Sequence, residues 1–157
     1  MPIDNDVYNR EGEGWWEEDN PLNILHGSIT PGRFAYFREV LTDRLGPDLP
    51  DLRALDIGCG GGFLAEEFAR LGLRVVGVDP SAVSIETARR HVATSGLDDR
   101  VHASLQAAGD GHLDGPYDLV TIFEALHDMN HPVEALRAVR ASLADGGSVV
   151  VGDERVA

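Results

Sequence analysis

The run Leu55-Asp56-Ile57-Gly58-Cys59-Gly60-Gly61-Gly62 limits the possible folds of this chain more than any other segment. ALDI (54–57) reads as a short buried strand, and the glycines that follow force a tight turn. Phe63 to Leu71 then sets Leu64, Phe68 and Leu71 on one helical side, with Gly72 as the C-terminal cap. A strand turning through glycines into a helix brings free backbone N–H groups to the strand's end. Without Cβ atoms in the way, a ligand can approach that main chain closely.

The alternation continues downstream. LRVVGV (73–78) reads as a second strand ending at Asp79. Ser81 caps a helix to about Thr94 with Val83, Ala88 and Val92 on its apolar side, and Ser95-Gly96 is the exit. RVHAS (100–104) and YDLVTI (117–122) are the third and fourth strands, separated by a loop or poorly specified helix over 105–115. Pro132 opens a helix whose expected buried side is Val133, Leu136, Val139 and Leu143. Gly146-Gly147 turns the chain into a fifth strand, SVVVG (148–152).

Upstream, Pro31 opens a helix with Phe34, Phe37, Leu41 and Leu45 on one face, stopped by Gly46-Pro47. Residues 1–20 read as a flexible lead or lid. Trp15 and Trp16 either pack on the domain edge or help to close a ligand cleft. The expected fold is α/β: a Rossmann-like, doubly wound, mostly parallel sheet of about five strands with an N-terminal helical extension. Residues 1–50 form the N-terminal lid and helix, and 51–157 the core.

Asp79 stands 21 positions after Gly58, at the tip of the second strand. A carboxylate there can accept hydrogen bonds from two ribose hydroxyls, so glycine loop and acid together read as an adenosine-type site. An NAD(P)-binding oxidoreductase is the competing reading. It is disfavoured because the third glycine of the dinucleotide spacing would fall at Phe63. Asp56 also suits a ligand carrying an amino group or sulfonium better than one carrying a pyrophosphate.

The formal net charge of -14, from 27 Asp plus Glu against 13 cations that are all Arg, argues against nucleic acid as a partner. Lysine is absent, which removes Schiff-base chemistry. Cys59 is the only cysteine, so neither a disulfide framework nor a Cys-based zinc cluster can form. No apolar run approaches the roughly 18 residues of a transmembrane segment, and the acidic N-terminus is unlike a signal peptide. A cytoplasmic location is expected.

LDIGCGGG followed by VVGVDPS resembles the first motif and second-strand acid of class I S-adenosylmethionine-dependent methyltransferases. WWEEDNPLNILHGSITPGRFAYF, with Trp15, Trp16, Leu25, His26 and Arg33, is similar to the lead segment of the ubiquinone-biosynthesis O-methyltransferases, which methylate polyprenyl catechols. The resemblance implies S-adenosyl-L-methionine as cofactor, S-adenosyl-L-homocysteine as product and a small-molecule methyl acceptor. It implies that Arg33 holds the methionine carboxylate, that Gly58 and Gly60 border the methionine part, and that Asp79 binds the ribose. Asp56, Cys59, Pro80 and Glu124 complete the expected cofactor-binding set. Family members keep an acid after the third strand near the adenine. Here Ser104 and Gln106 stand nearest that place and Asp110 lies further along, so Gln106 is the cofactor-binding assignment.

YDLVTIFEALHDMNHP resembles the segment after the fourth strand in a broader set of small-molecule methyltransferases. The quinone group has Glu-His where this chain has Asp128-Met129. His127 and Asp128 are the catalytic assignments, with His127 as base near neutrality. Glu124, Asp128 and His131 form no specific metal signature, and no metal is expected. Seven strands are usual in the family and five are read here, so an open sheet edge and a homodimer through it are expected. A cofactor-binding or structural fragment without turnover is the other reading.

Overall fold

The computed structural model describes residues 5–27, 30–45, 49 and 51–153, with the side chains of Leu25 and Leu45 left aside. The predicted helix stop at Gly46-Pro47 lies outside the described residues. Five strands form one sheet: β1 (Arg53–Ile57), β2 (Arg74–Asp79), β3 (Val101–Leu105), β4 (Tyr117–Phe123) and β5 (Leu143–Gly152). All described pairings are parallel, in the order β3-β2-β1-β4-β5. The chain winds outward from β1 to β3, then returns to β1's other side. That reversal opens a crevice between the C-terminal ends of β1 and β4, where ligands bind in sheets of this kind.

The helices are α1 (Asp6–Glu11), α2 (Thr30–Leu45), α3 (Phe63–Arg70), α4 (Ala82–Thr94) and α5 (Pro132–Ser142). Strand side chains alternate between two cores. Ala54, Val75 and Leu119 meet Phe37 and Leu41 of α2, Leu64 and Phe68 of α3, and Val92 of α4. Leu55, Ile57, Val78, Val120 and Ile122 face Ala135, Ala138 and Val139 of α5. Helices on both faces explain why the strands read as nearly continuous apolar runs.

Ser81 caps α4 by accepting a hydrogen bond from the Ser84 N–H at 3.2 Å. Ile85, rather than Val83, joins Ala88 and Val92 among the buried side chains of that helix. The expected buried side of α5 is corrected more strongly. Val133 and Leu136 are 53% and 40% exposed, while Ala135, Ala138, Val139 and Ser142 face inward. Small residues let α5 pack closely on the 3₁₀ turn Ala108–Asp110, which joins the same core, and alanine carries little weight in a hydrophobic pattern. β5 begins earlier than the turn at Gly146-Gly147 suggested, because Leu143 already pairs with Tyr117 before a register shift.

The largest correction is at the N-terminus. Residues 5–27 form a folded strap rather than a loose lead: α1, a 3₁₀ turn (Gly12–Gly14) and a π-helical turn (Asn23–Gly27). Trp15 is only 4% exposed, and its Nε1 donates to Ser84 Oγ at 2.9 Å. Ser81 Oγ and Ser84 Oγ donate to the Tyr8 carbonyl at 3.2 and 3.4 Å. The strap is therefore fastened to the start of α4.

Candidate functional site

A cavity of about 580 Å³ opens at the β1/β4 crevice. Arg33, Asp56, Gly58, Cys59, Gly60, Asp79, Pro80, Gln106, Glu124 and Asp128 all line it. His127 is not among the lining residues, although His26 and His131 are. Asp110 lines it as well, whereas Ser104 does not.

The glycine loop is the floor. Gly58, Gly60 and Gly62 have φ values of 72°, 50° and 90°, in the region that side chains disfavour. A Cβ on Gly60 would come within 2.5 Å of the Trp15 ring. Gly60 and Gly61 thus make room for an indole of the same chain, a use of the glycines that the sequence did not signal. Cys59 is buried beneath the loop, and desolvation with the nearby Asp79 and Asp56 carboxylates pushes its thiol well up, away from thiolate chemistry.

Two carboxylates stand beside the loop. Asp79, 9% exposed, accepts from the Gly60 N–H at 3.0 Å and from the Ser81 N–H at 2.8 Å. Burial raises its pKa, and those two hydrogen bonds oppose the rise. Asp56 lies opposite Thr121 in the β1/β4 register, which brings Thr121 Oγ1 to 2.8 Å from Asp56 Oδ1 as its donor. Desolvation pushes the Asp56 carboxyl up to about 7, the Thr121 bond lowers it, and Asp79 adds repulsion. Asp56 is therefore a buried acid poised near neutrality.

On the far wall, Arg33 Nη2 donates to Glu124 Oε1 at 2.7 Å, and the guanidinium lies 5.0 Å from the Phe123 ring centroid. Glu124 has φ 48°, strained for a residue with a side chain, and such strain gathers at functional positions. Gln106 Nε2 donates to the His112 carbonyl, and its backbone N–H to the Asp79 carbonyl at 3.1 Å.

At the mouth, the Tyr8 hydroxyl donates to Asp128 Oδ2 at 2.7 Å, and Asn5 Nδ2 to the Asp128 carbonyl at 3.0 Å. Burial first, then the Asp128 bond and charge, raise the Tyr8 phenol pKa. His26 meets Trp15 at 5.2 Å, and burial with the Arg33 charge lowers its pKa. His127 Nε2 is 3.5 Å from Asp128 Oδ1, and its Nδ1 shares a hydrogen bond with Asp153 Oδ1. Glu124, His127 and Asp153 place one ligand atom each within 4.8 Å of one another, a donor set a divalent cation can use. Among the described residues this group forms in place of the Glu124, Asp128 and His131 set weighed from sequence. Asn5, Tyr8, Thr121 and Asp153 carried no local signal; only long-range packing brings them here.

A protein-family model described as a methyltransferase domain matches residues 55–149. The chain belongs to that family. It is 37% identical to the ubiquinone biosynthesis O-methyltransferase of Methylocella silvestris, over 93% of this chain and 60% of that protein. It is also 37% identical to the protein of the same name from Caulobacter sp. strain K31, over 87% of this chain and 56% of that one. The chain thus spans about 60% or less of the length of these curated relatives.

Among solved structures, the glycopeptide N-methyltransferase MtfA in complex with S-adenosyl-L-methionine superposes with a TM-score of 0.63 at 22% identity. That match covers 75% of this chain and 53% of MtfA. The [4+2]-cyclase SpnF gives 0.65 at 27% identity, over 74% of this chain and 43% of SpnF. A cyclase on the same architecture shows that fold alone does not name the reaction. Among the described residues, no helix is long and apolar enough to cross a membrane.

Proposed function

We propose that this chain is the S-adenosyl-L-methionine-binding core of a methyltransferase acting on a small molecule, at a phenolic or catechol oxygen. The observation that carries this reading is the meeting of the glycine loop, Asp56, Asp79, Arg33 and Glu124 around one cavity. Their chemistry fits the cofactor. A carboxylate offers about four acceptor sites, so Asp79 keeps capacity for two ribose hydroxyls beyond its bonds from Gly60 and Ser81. Arg33 uses one of about five donors on Glu124 and can turn the others toward a carboxylate. Asp56, when ionised, offers negative charge beside the loop for an amino group or sulfonium.

In this reading Gly58, Gly60 and Cys59 border the methionine part, Pro80 and Gln106 the adenosine part, and Glu124 the edge near Arg33. When bound, the cofactor supplies a methyl group on a positively charged sulfur, ready for in-line displacement. The chain's own work is alignment, exclusion of water by the strap, and removal of the acceptor's proton. Asp128, lining the mouth, receives that proton or orients the hydroxyl, and His127 stands behind it at 3.5 Å.

The division into a lid and helix at 1–50 and a core at 51–157 belongs to the same proposal. So does a homodimer through β5, the last strand in the sheet order, where Val149 and Val151 at 37% and 44% exposure leave apolar surface on the sheet face beside that edge. A cytoplasmic location is in keeping with a single, buried, unpaired cysteine. The charge balance speaks against a nucleic-acid substrate. A binding core without turnover is the second reading, favoured by the engagement of His127 with Asp153 outside the cavity.

Calorimetric titration with S-adenosyl-L-methionine, S-adenosyl-L-homocysteine and NAD tests the proposal. Both sulfur compounds are expected to bind and NAD to fail. Binding of NAD alone would overturn it, and methyl transfer to a catechol panel then separates enzyme from binding core.

A further inference from the structure

Glu66 is 1% exposed, the most buried carboxylate among the described residues, yet it does not line the cavity. A buried charge is costly unless it is paired. Its Oε1 lies 2.6 Å from His91 Nδ1, and Arg70 Nη2 donates to Oε2 at 3.2 Å. Ser95 Oγ stands 3.3 Å from the same His91 nitrogen. The Glu66–His91 contact ties α3 to α4, and with Ser95 it fixes the plane of the imidazole.

That plane is used. The Trp16 indole stacks on the His91 ring with centroids 3.4 Å apart and planes parallel. Trp16 also packs on Phe63 at 4.2 Å, and its Nε1 donates to the Gly61 carbonyl at 2.8 Å. A continuous path therefore runs from Glu66 through His91 and Trp16 to the glycine loop. Gly60, next along that loop, donates to Asp79. Trp16 belongs to the strap, which supplies Asn5, Tyr8, Trp15 and His26 to the cavity wall. Neither Trp16, His91 nor Glu66 lines the cavity itself.

We infer that Glu66 and His91 are positioning residues that act through Trp16: they latch the strap shut and hold Gly61, and thereby set the cofactor affinity from outside the cavity. If the closed strap is the binding-competent state, apparent affinity scales with the fraction closed, and loosening the latch lowers that fraction. The inference rests on the cavity being the S-adenosyl-L-methionine site, which titration of the unaltered chain checks separately.

The test is a double-mutant cycle on this chain, read by calorimetry with S-adenosyl-L-methionine and by amide hydrogen exchange. His91→Ala and Trp16→Ala are each expected to weaken binding by up to about tenfold, the ceiling set by losing one stacked ring pair with its hydrogen bond from the closed state. Because both act along one path, the double variant loses little more than either alone. His91→Phe, which restores a flat ring against Trp16 but not the bond to Glu66, recovers part of the affinity. Strap amides exchange faster in the Ala variants while β1 and β4 amides keep their protection.

Additive losses would show that His91 works by another route and overturn the inference. So would unchanged affinity and strap protection, or equal loss of protection across the sheet. Should His91→Ala fail to fold, Trp16→Ala still decides, since unaltered binding and exchange in that variant overturn the latch. A wild-type chain that binds no S-adenosyl-L-methionine refutes the cofactor reading instead, and strap exchange in the variants then decides the latch alone.

Discussion

Asp56 allows a prediction whose size follows from its surroundings. Its carboxyl is 4% exposed, hydrogen-bonded by Thr121 and pushed from an ordinary 3.8 to about 7. Well below pH 3.8 the group is protonated in both folded and unfolded chains, and burial carries no charge penalty. Between pH 3.8 and about 7 the unfolded chain releases the proton while the folded chain keeps it, so stability falls as pH rises. At about 1.4 kcal/mol per pH unit, the loss levels off near 4 kcal/mol above pH 7.

Asp56→Asn removes this titration while leaving a carbonyl oxygen for Thr121 Oγ1 to donate to. The variant is expected to match the wild type near pH 4 and exceed it progressively up to pH 8. At about 2–4 °C per kcal/mol for a domain of this size, the final gain in Tm is about 10 °C. Thermal unfolding followed by circular dichroism from pH 4 to 8 measures it. A difference between the two proteins that stays flat across that range would refute the assignment of a raised Asp56 pKa. A positively charged ligand beside Asp56 lowers that pKa again. Cofactor binding near pH 6 should therefore release protons, seen as a buffer-dependent enthalpy in calorimetry.

Gly60→Ala adds a Cβ at φ 50° and 2.5 Å from Trp15, so a loss of about 3 kcal/mol in urea unfolding is expected, with tryptophan emission shifted toward that of exposed indole. Unchanged emission would show that Trp15 does not sit on the loop. Tyr8→Phe removes the donor to Asp128 and should cost about 1 kcal/mol, with faster amide exchange confined to α1. Equal exchange in both proteins would leave that bond no part in holding the strap. Asp79→Ala should weaken S-adenosyl-L-methionine binding at least about tenfold by removing a charged hydrogen-bond acceptor, and an undiminished affinity would remove Asp79 from the ribose site.

What the sequence by itself determined is local. Apolar runs broken by glycine placed β1, β2 and β4 to within a residue or two, and Ser81 marked the start of α4. The glycine loop and the acid 21 positions later indicated which edge of the sheet bears the cavity, since both follow parallel strands at their C-terminal ends. These features were legible because turn geometry, helix caps and side-chain period act over a few residues. The tertiary structure decided the rest. The parallel register brings Thr121 to Asp56, 65 positions away, and no local pattern encodes a register. The strap has no apolar period. Trp15 is buried because Ser84, 69 positions on, receives its N–H and because Gly60 and Gly61 leave space for its ring. On α5, alanines won the buried side over Val133 and Leu136, since close packing on the turn at Ala108–Asp110, not hydrophobicity, selected the face. Local chemistry wrote the elements; only their packing against one another made a roofed cavity from residues scattered along the chain.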